Sequence, residues 1–196
     1  MPTHTQVRLM HTVQSPIQSN TIPPSSAGYP EHILEISRQC RDYSLTDAAA
    51  FFPFWRLVLA YWFPASEGYS LAENMGFMDL QRSSIDVLFR EQPFLLLQIH
   101  GVTDIESELT RRTLKERANR LFDTGALWSG HAALCVISAM GMRWNGFIRS
   151  TEMTSEQAQR ILVDDWFGGW SEDVWCAGSH RALSLFFGSL KKSVCT

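Results

Sequence analysis

Asp86, Gln98 and His100 stand in one short stretch, and their layout is that of side chains that handle a phosphate and a divalent cation. One residue separates Gln98 from His100, so on a strand both point to the same face. Asp86 precedes them across Arg-Glu-Gln-Pro, which reads as a turn between two strands. An acid on one strand and a polar pair at the end of the next is the pattern of a metal-dependent phosphodiesterase. There, hard carboxylate oxygens hold magnesium or manganese, and the ion polarises the phosphate and lowers the pKa of the attacking water. Asp86 supplies one such carboxylate and is the candidate metal ligand. Gln98 is a neutral amide that adds no charge to retain an ion, and His100 is usually uncharged near neutral pH. A second acid would have to come from Glu73, Glu91 or Asp104.

The elements that must position these residues follow from pattern. Ile85 to Phe89 and the almost wholly apolar Phe94 to His100 read as paired strands. Asp104 is placed to cap a helix running to about Phe122, with Ile105, Leu109, Leu114, Ala118, Leu121 and Phe122 as its apolar stripe. Ala132 to Ala139 is a continuous apolar run, as in a central strand. Met140-Gly141 turns the chain into Met142 to Arg149, which alternates like an antiparallel edge strand. Thr154 opens a short helix, Trp166 to Trp170 is loop, and Ser179 to Lys192 forms a last amphipathic helix.

Ahead of the strands, residues 30–41 have helical spacing, with Ile33, Ile36 and Cys40 on one side. Ser44 or Thr46 caps a helix that Pro53 breaks or restarts, giving a buried helical hairpin to Phe63. Phe51, Phe52, Phe54, Trp55, Tyr61, Trp62 and Phe63 are more aromatics than one helix face buries, and an aromatic docking surface is the alternative. Residues 65–80 read as a loop with a helical turn. Residues 1–29 carry one charged residue, Arg8, among prolines and small polar residues, and are expected to form a disordered tail.

A hydrophobic content of 45% and 196 residues suit one α/β domain over residues 30–196, with a helical part at 30–80 and a sheet core at 81–196. Seventeen basic against twenty acidic residues leave a net charge of -3, so any nucleic-acid contact must be local. Arg111, Arg112, Lys115, Arg117 and Arg120 on the helix after His100 supply such a patch, although Glu108 and Glu116 are placed to pair with Arg112 and Arg120. The apolar run before Phe63 is interrupted by Asp47, Pro53 and Arg56 and does not span a membrane. Cys40, Cys135, Cys176 and Cys195 lack metal-site spacing and read as reduced thiols. With no signal-peptide pattern in Met-Pro-Thr-His-Thr, an intracellular protein is expected, in cytoplasm or nucleus. Ser138 lacks the glycine-flanked elbow of a hydrolase nucleophile.

From about residue 84 to 192 the chain resembles the PD-(D/E)XK nuclease-like domains of uncharacterised fungal proteins. The matching positions are Asp86, Gln98-Ile99-His100 where the family has Glu-x-Lys, Lys115-Glu116-Arg117 on the basic helix, Ile137-Ser138-Ala139-Met140-Gly141, and Arg143-Trp144. The resemblance implies a three-layer, restriction-endonuclease-like core with a mixed sheet of four or more strands flanked by helices. It makes Asp86, Gln98 and His100 the catalytic positions, with magnesium or manganese as cofactor and DNA or RNA as partner through Arg112, Lys115 and Arg117. With an amide and an imidazole replacing the acid and the lysine, the expectation is a protein that has lost cleavage and works by binding nucleic acid or a protein. The alternatives are a metal-dependent nuclease with an unusual Asp/Gln/His site, and an interaction module or homodimer built on the aromatic segment.

Overall fold

Side-chain alternation along five strands sorts the apolar residues onto two faces of one sheet, and each face takes its own helices. The computed structural model describes residues 28–41, 48–75, 83–101, 107–125, 131, 133–150 and 173–194. The elements are α1 (Glu31–Arg41), a 3-10 turn (Ala48–Phe51), α2 (Phe52–Trp62), a second 3-10 turn (Ala65–Glu67), β1 (Tyr69–Met75), β2 (Ser83–Phe89), β3 (Gln92–His100), α3 (Glu108–Gly125), β4 (Ala133–Met140), β5 (Arg143–Ser150) and α4 (Ala177–Val194). The strands lie in the order β1-β2-β3-β4-β5. All neighbours are antiparallel except β3 and β4, which run parallel and are joined through α3. A parallel pair needs such a crossover, whereas antiparallel neighbours close through short turns.

On one face Ile85, Val87, Leu95, Leu97, Ile99, Ile137, Ala139 and Trp144 pack with α1, α2 and α4. On the other, Leu134, Val136 and Phe147 pack against Ala118 and Phe122 of α3. The result is a three-layer α/β arrangement around a mixed five-stranded sheet. Apolar side chains on both faces explain why β4 reads as an unbroken hydrophobic run.

Several expectations are corrected. Residues 65–80 are not simply a loop, because Tyr69–Met75 is an edge strand paired along its length with β2. Its polar sequence Ala-Glu-Asn hides the strand, since an edge strand buries only part of its surface. Ser107 directly precedes α3, and its hydroxyl accepts the Thr110 N–H at 3.5 Å. Leu109 leaves the apolar stripe and is 74% exposed. Phe51, Phe52, Phe54, Trp55 and Phe63 are buried, whereas Tyr61 is 37% exposed and Trp62 half-buried, so most of the aromatic segment is core. Pro53 sits in the first turn of α2, where its missing N–H costs nothing. The expected tail over 1–27, the Ser44 and Thr46 caps, Asp104, the Thr154 helix and the Trp166–Trp170 loop lie outside the described residues. No helix among the described residues is long and apolar enough to cross a membrane.

Trp55 ties the helical layer to the sheet. Its indole N–H donates to the Gly141 carbonyl at 2.8 Å, a buried bond between residues 86 apart in sequence. Gly141 has φ of 61°, a conformation that favours glycine, and its own N–H donates to the His100 carbonyl at 3.2 Å. Tyr29, placed in the tail by composition, is buried at the other end of α2. Its ring stands 4.6 Å from that of His180, and its hydroxyl accepts the Trp62 indole N–H at 3.2 Å. The rings of Tyr61 and Trp62 lie 6.3 and 5.1 Å from His180, whose Nε2 has no hydrogen-bond partner among the described residues. Burial therefore pushes the imidazole pKa down and the Tyr29 phenol pKa up.

Arg90 and Glu91 form the two-residue β2–β3 turn, with φ of 53° and 67°. Both values positive is the signature of a type I′ turn, which normally takes Asn-Gly. Replacing Glu91→Gly is expected to stabilise the chain by about 1 kcal/mol, read as a higher urea midpoint. A second outcome follows from His180. Its folded pKa lies below its unfolded value, so the unfolded chain binds more protons as pH falls, and the neutral ring's contribution is present above the ordinary histidine range and lost below it. The urea midpoint should drop between pH 7.5 and 5.5, and His180→Asn should flatten that drop.

Candidate functional site

Register and burial place Asp86, Gln98 and His100 on the same sheet face, the one that α3 packs against. On β2 and β3 the residues facing away from α3, such as Ile85, Val87, Leu97 and Ile99, are fully buried, while Ser84, Asp86, Leu96 and Gln98 on its side are half-buried. His100, at the end of β3, is buried. α3 lies over β4, whose side chains are buried on both faces. The half-exposed positions of β2 and β3 therefore flank the helix.

Asp86 opposes Leu96, and Gln98 opposes Ser84 on one side and Ser138 on the other. Asp86 is thus a diagonal neighbour of Gln98, a separation of roughly 7–8 Å between backbones. His100 lies four residues beyond Leu96, and at about 3.3 Å per residue this puts it roughly 13 Å further along the strand. The sequence-derived trio shares a face but does not converge: Gln98 stands between the acid and the imidazole. Glu73 is on the opposite face, opposite Ile85, where it pairs with Arg56 of α2. Glu91 sits in the turn at the far end of β3. Among the described strand residues on the α3 face, Asp86 is the sole carboxylate. Among the described residues, one carboxylate, a neutral amide and a remote imidazole do not by themselves make up the clustered hard, charged oxygens that magnesium or manganese takes, and Asp104 lies outside those residues.

Register reveals what does cross this face. Asn74, Ser84, Gln98, Ser138 and Asn145 oppose one another in turn, so a single rung of neutral polar residues spans all five strands. The neighbouring rung holds Asp86 with Ala72, Leu96, Val136 and Phe147; on the other side His100 aligns with Met140 and Arg143. Ser138 and Asn145 are 0% and 6% exposed. Gln98 Oε1, Ser138 Oγ, Asn145 Oδ1 and, on α3, Asn119 Oδ1 are buried atoms with no hydrogen-bond partner among the described residues. A buried oxygen left without any donor costs about 1–3 kcal/mol, so these four atoms call for one. Such a row can supply directional hydrogen bonds to a neutral group; it cannot neutralise an anion. Sequence reading picked out Gln98 and Ser138 singly and missed Ser84, Asn119 and Asn145. Asn145 alternates with Trp144 and Gly146, but nothing in that alternation states which residue it opposes.

The cations of α3 divide. At about 100° per residue on a helix, Lys115 and Arg117 flank the buried line of Leu114, Ala118 and Phe122 on opposite sides, and both are half-buried. Lys115 stands one turn before Asn119. Arg112, exposed on the same side as Lys115, pairs with Glu116 at 3.1 Å instead of with Glu108. Arg112 and Lys115 thus lie on one side of α3 and Arg117 on the other.

Comparison with family models, curated proteins and solved structures finds no match to the chain. Ser138→Ala removes an orphaned hydroxyl without opening a large cavity. It is expected to leave stability unchanged or to raise it by about 1 kcal/mol in urea denaturation; a clear loss would show that the hydroxyl is bonded.

Proposed function

We propose that this chain is a nuclease-fold protein without cleavage activity, whose role is to bind nucleic acid along the groove beside α3. The carrying observation is the α3 face itself. Asp86 stands without a second carboxylate among the described strand residues, and the position next to it on the adjoining rung, Gln98, belongs to a neutral row. The sequence resemblance to PD-(D/E)XK domains supports the scaffold, and the three-strand meander, crossover helix and parallel fourth strand are compatible with it. Phosphodiester hydrolysis needs charge gathered around the scissile phosphate to hold the ion and stabilise the transition state. An amide at Gln98 and an imidazole at His100, where the resemblance expects an acid and a lysine, remove that charge while leaving the scaffold. Lys115 supplies a cation on one side of α3, beside Arg112, which is held in an ion pair with Glu116, for local phosphate contacts on a chain of net negative charge. Buried free thiols at Cys40 and Cys135 are compatible with an intracellular setting.

The test has two arms. With magnesium or manganese, DNA and RNA are expected to stay intact; cleavage that disappears in Asp86→Ala would overturn the proposal in favour of an active metal-dependent nuclease. In fluorescence anisotropy at low salt, single- and double-stranded oligonucleotides should bind, and Lys115→Ala should weaken binding and reduce the salt slope by about 1. An affinity unaffected by Lys115→Ala, or absent in the wild-type chain, would remove the nucleic-acid role.

A further inference from the structure

Four polar side chains at the heart of the α3 face have hydrogen-bonding atoms with no partner among the described residues: Gln98 Oε1, Ser138 Oγ, Asn145 Oδ1 and Asn119 Oδ1. We propose that they form a recognition slot for an uncharged nucleobase. The inference rests on the nucleic-acid reading above and names what that groove would read.

Three of the four stand side by side. Gln98, Ser138 and Asn145 occupy one rung on adjacent strands, about 4.8 Å from one to the next. Asn119 follows Ala118, the α3 residue that packs in one cluster with Val136 on the rung below. Buried polar atoms in folded proteins are almost always satisfied, so a group of orphans on one face asks for a common partner. Their chemistry specifies it. Every member is neutral and every member both donates and accepts, so the rung itself selects by hydrogen bonding and not by charge. A carboxamide presents its N–H and oxygen in one plane, the arrangement that Asn and Gln use against the edge of a base.

The surroundings fit a flat heterocycle. Leu96, Val136 and Phe147 border the rung on one side, with Asp86 at its β2 end, and Met140 on the other, between His100 and Arg143; the apolar members offer contact to the faces of a ring while the rung meets its edge. The half-buried end at Ser84 and Gln98 leads to the fully buried end at Ser138 and Asn145, so a base would enter from the β2 side and run inward under α3. The rung also lies near the carboxyl ends of the parallel pair β3 and β4. Lys115, one helical turn before Asn119, stands where a phosphate of the same nucleotide strand would pass.

The full chain, labelled with nitrogen-15, is titrated with free adenosine, guanosine, cytidine and uridine, while the side-chain amide signals of Gln98, Asn119 and Asn145 are followed by NMR. In parallel, anisotropy compares a short single-stranded oligonucleotide with an abasic strand of the same length. At least one nucleoside should shift those amide signals. Gln98→Met, which keeps the size of a half-buried side chain, should cost at least tenfold in affinity for the base-bearing strand and leave the abasic strand unaffected. Asn119→Leu, on the helix, should act in the same direction. Equal binding of both strands, unchanged by either variant, would overturn the slot while leaving phosphate binding intact. Nucleoside shifts without any strand binding would support the slot and refute the groove as a strand site. Ribose or glucose moving the same signals as strongly as the nucleosides would overturn base recognition, as would silence from every ligand.

Discussion

The Gly141 backbone joins the three parts of the molecule that most need joining. Its carbonyl receives the buried indole N–H of Trp55 from the helical layer, and its N–H reaches the carbonyl of His100 at the end of β3. A glycine is needed because the backbone turns with positive φ there. This fixes the end of β4 beside the end of β3, and the register of that parallel pair decides which side chains share a rung. Gln98 meets Ser138 because this corner is held; a slip by one residue would turn Ser138 into the apolar layer and Ile137 toward α3.

The site is governed by where charge is missing. A hydrolytic centre concentrates carboxylates so that an ion stays bound and the attacking water ionises. Here the centre of the face is made of amides and hydroxyls, the carboxylate is one rung away on one side, and the imidazole is one rung away on the other. Such a surface has little pull on ions and strong directional preferences for hydrogen bonds, which suits discrimination between neutral groups. A buried oxygen without a donor works against folding.

Much of the scaffold was legible in the sequence because its signals are local. The apolar Phe94–His100 and Ala132–Ala139 runs, the Gly141 turn and the stripe of Leu114, Ala118 and Phe122 all express one-element periodicities. The edge strand Tyr69–Met75 was not legible, since Ala-Glu-Asn contributes little burial on its own. The alternation of Gln98 and His100 correctly gave their shared face, yet it said nothing of their distance from Asp86, which depends on the offset between β2 and β3. The polar rung was hidden for the same reason. Its five residues come from five strands, and only pairing makes them neighbours. Tyr29 was misjudged from the composition around it, because one aromatic among polar residues carries no periodic signal.

The parallel β3–β4 seam also shapes how the chain reaches this state. β2 and β3 form a hairpin and β4 and β5 form another, so both units can assemble from contacts close in sequence. The seam between them cannot, because the whole of α3 must fold back first and loop closure has to be offset before any ladder bond is gained. The Trp55–Gly141 bond closes one corner of the fold over 86 residues of chain. The rung that carries Gln98 on one hairpin and Ser138 with Asn145 on the other does not exist in either hairpin alone, and it comes into being only when that seam forms.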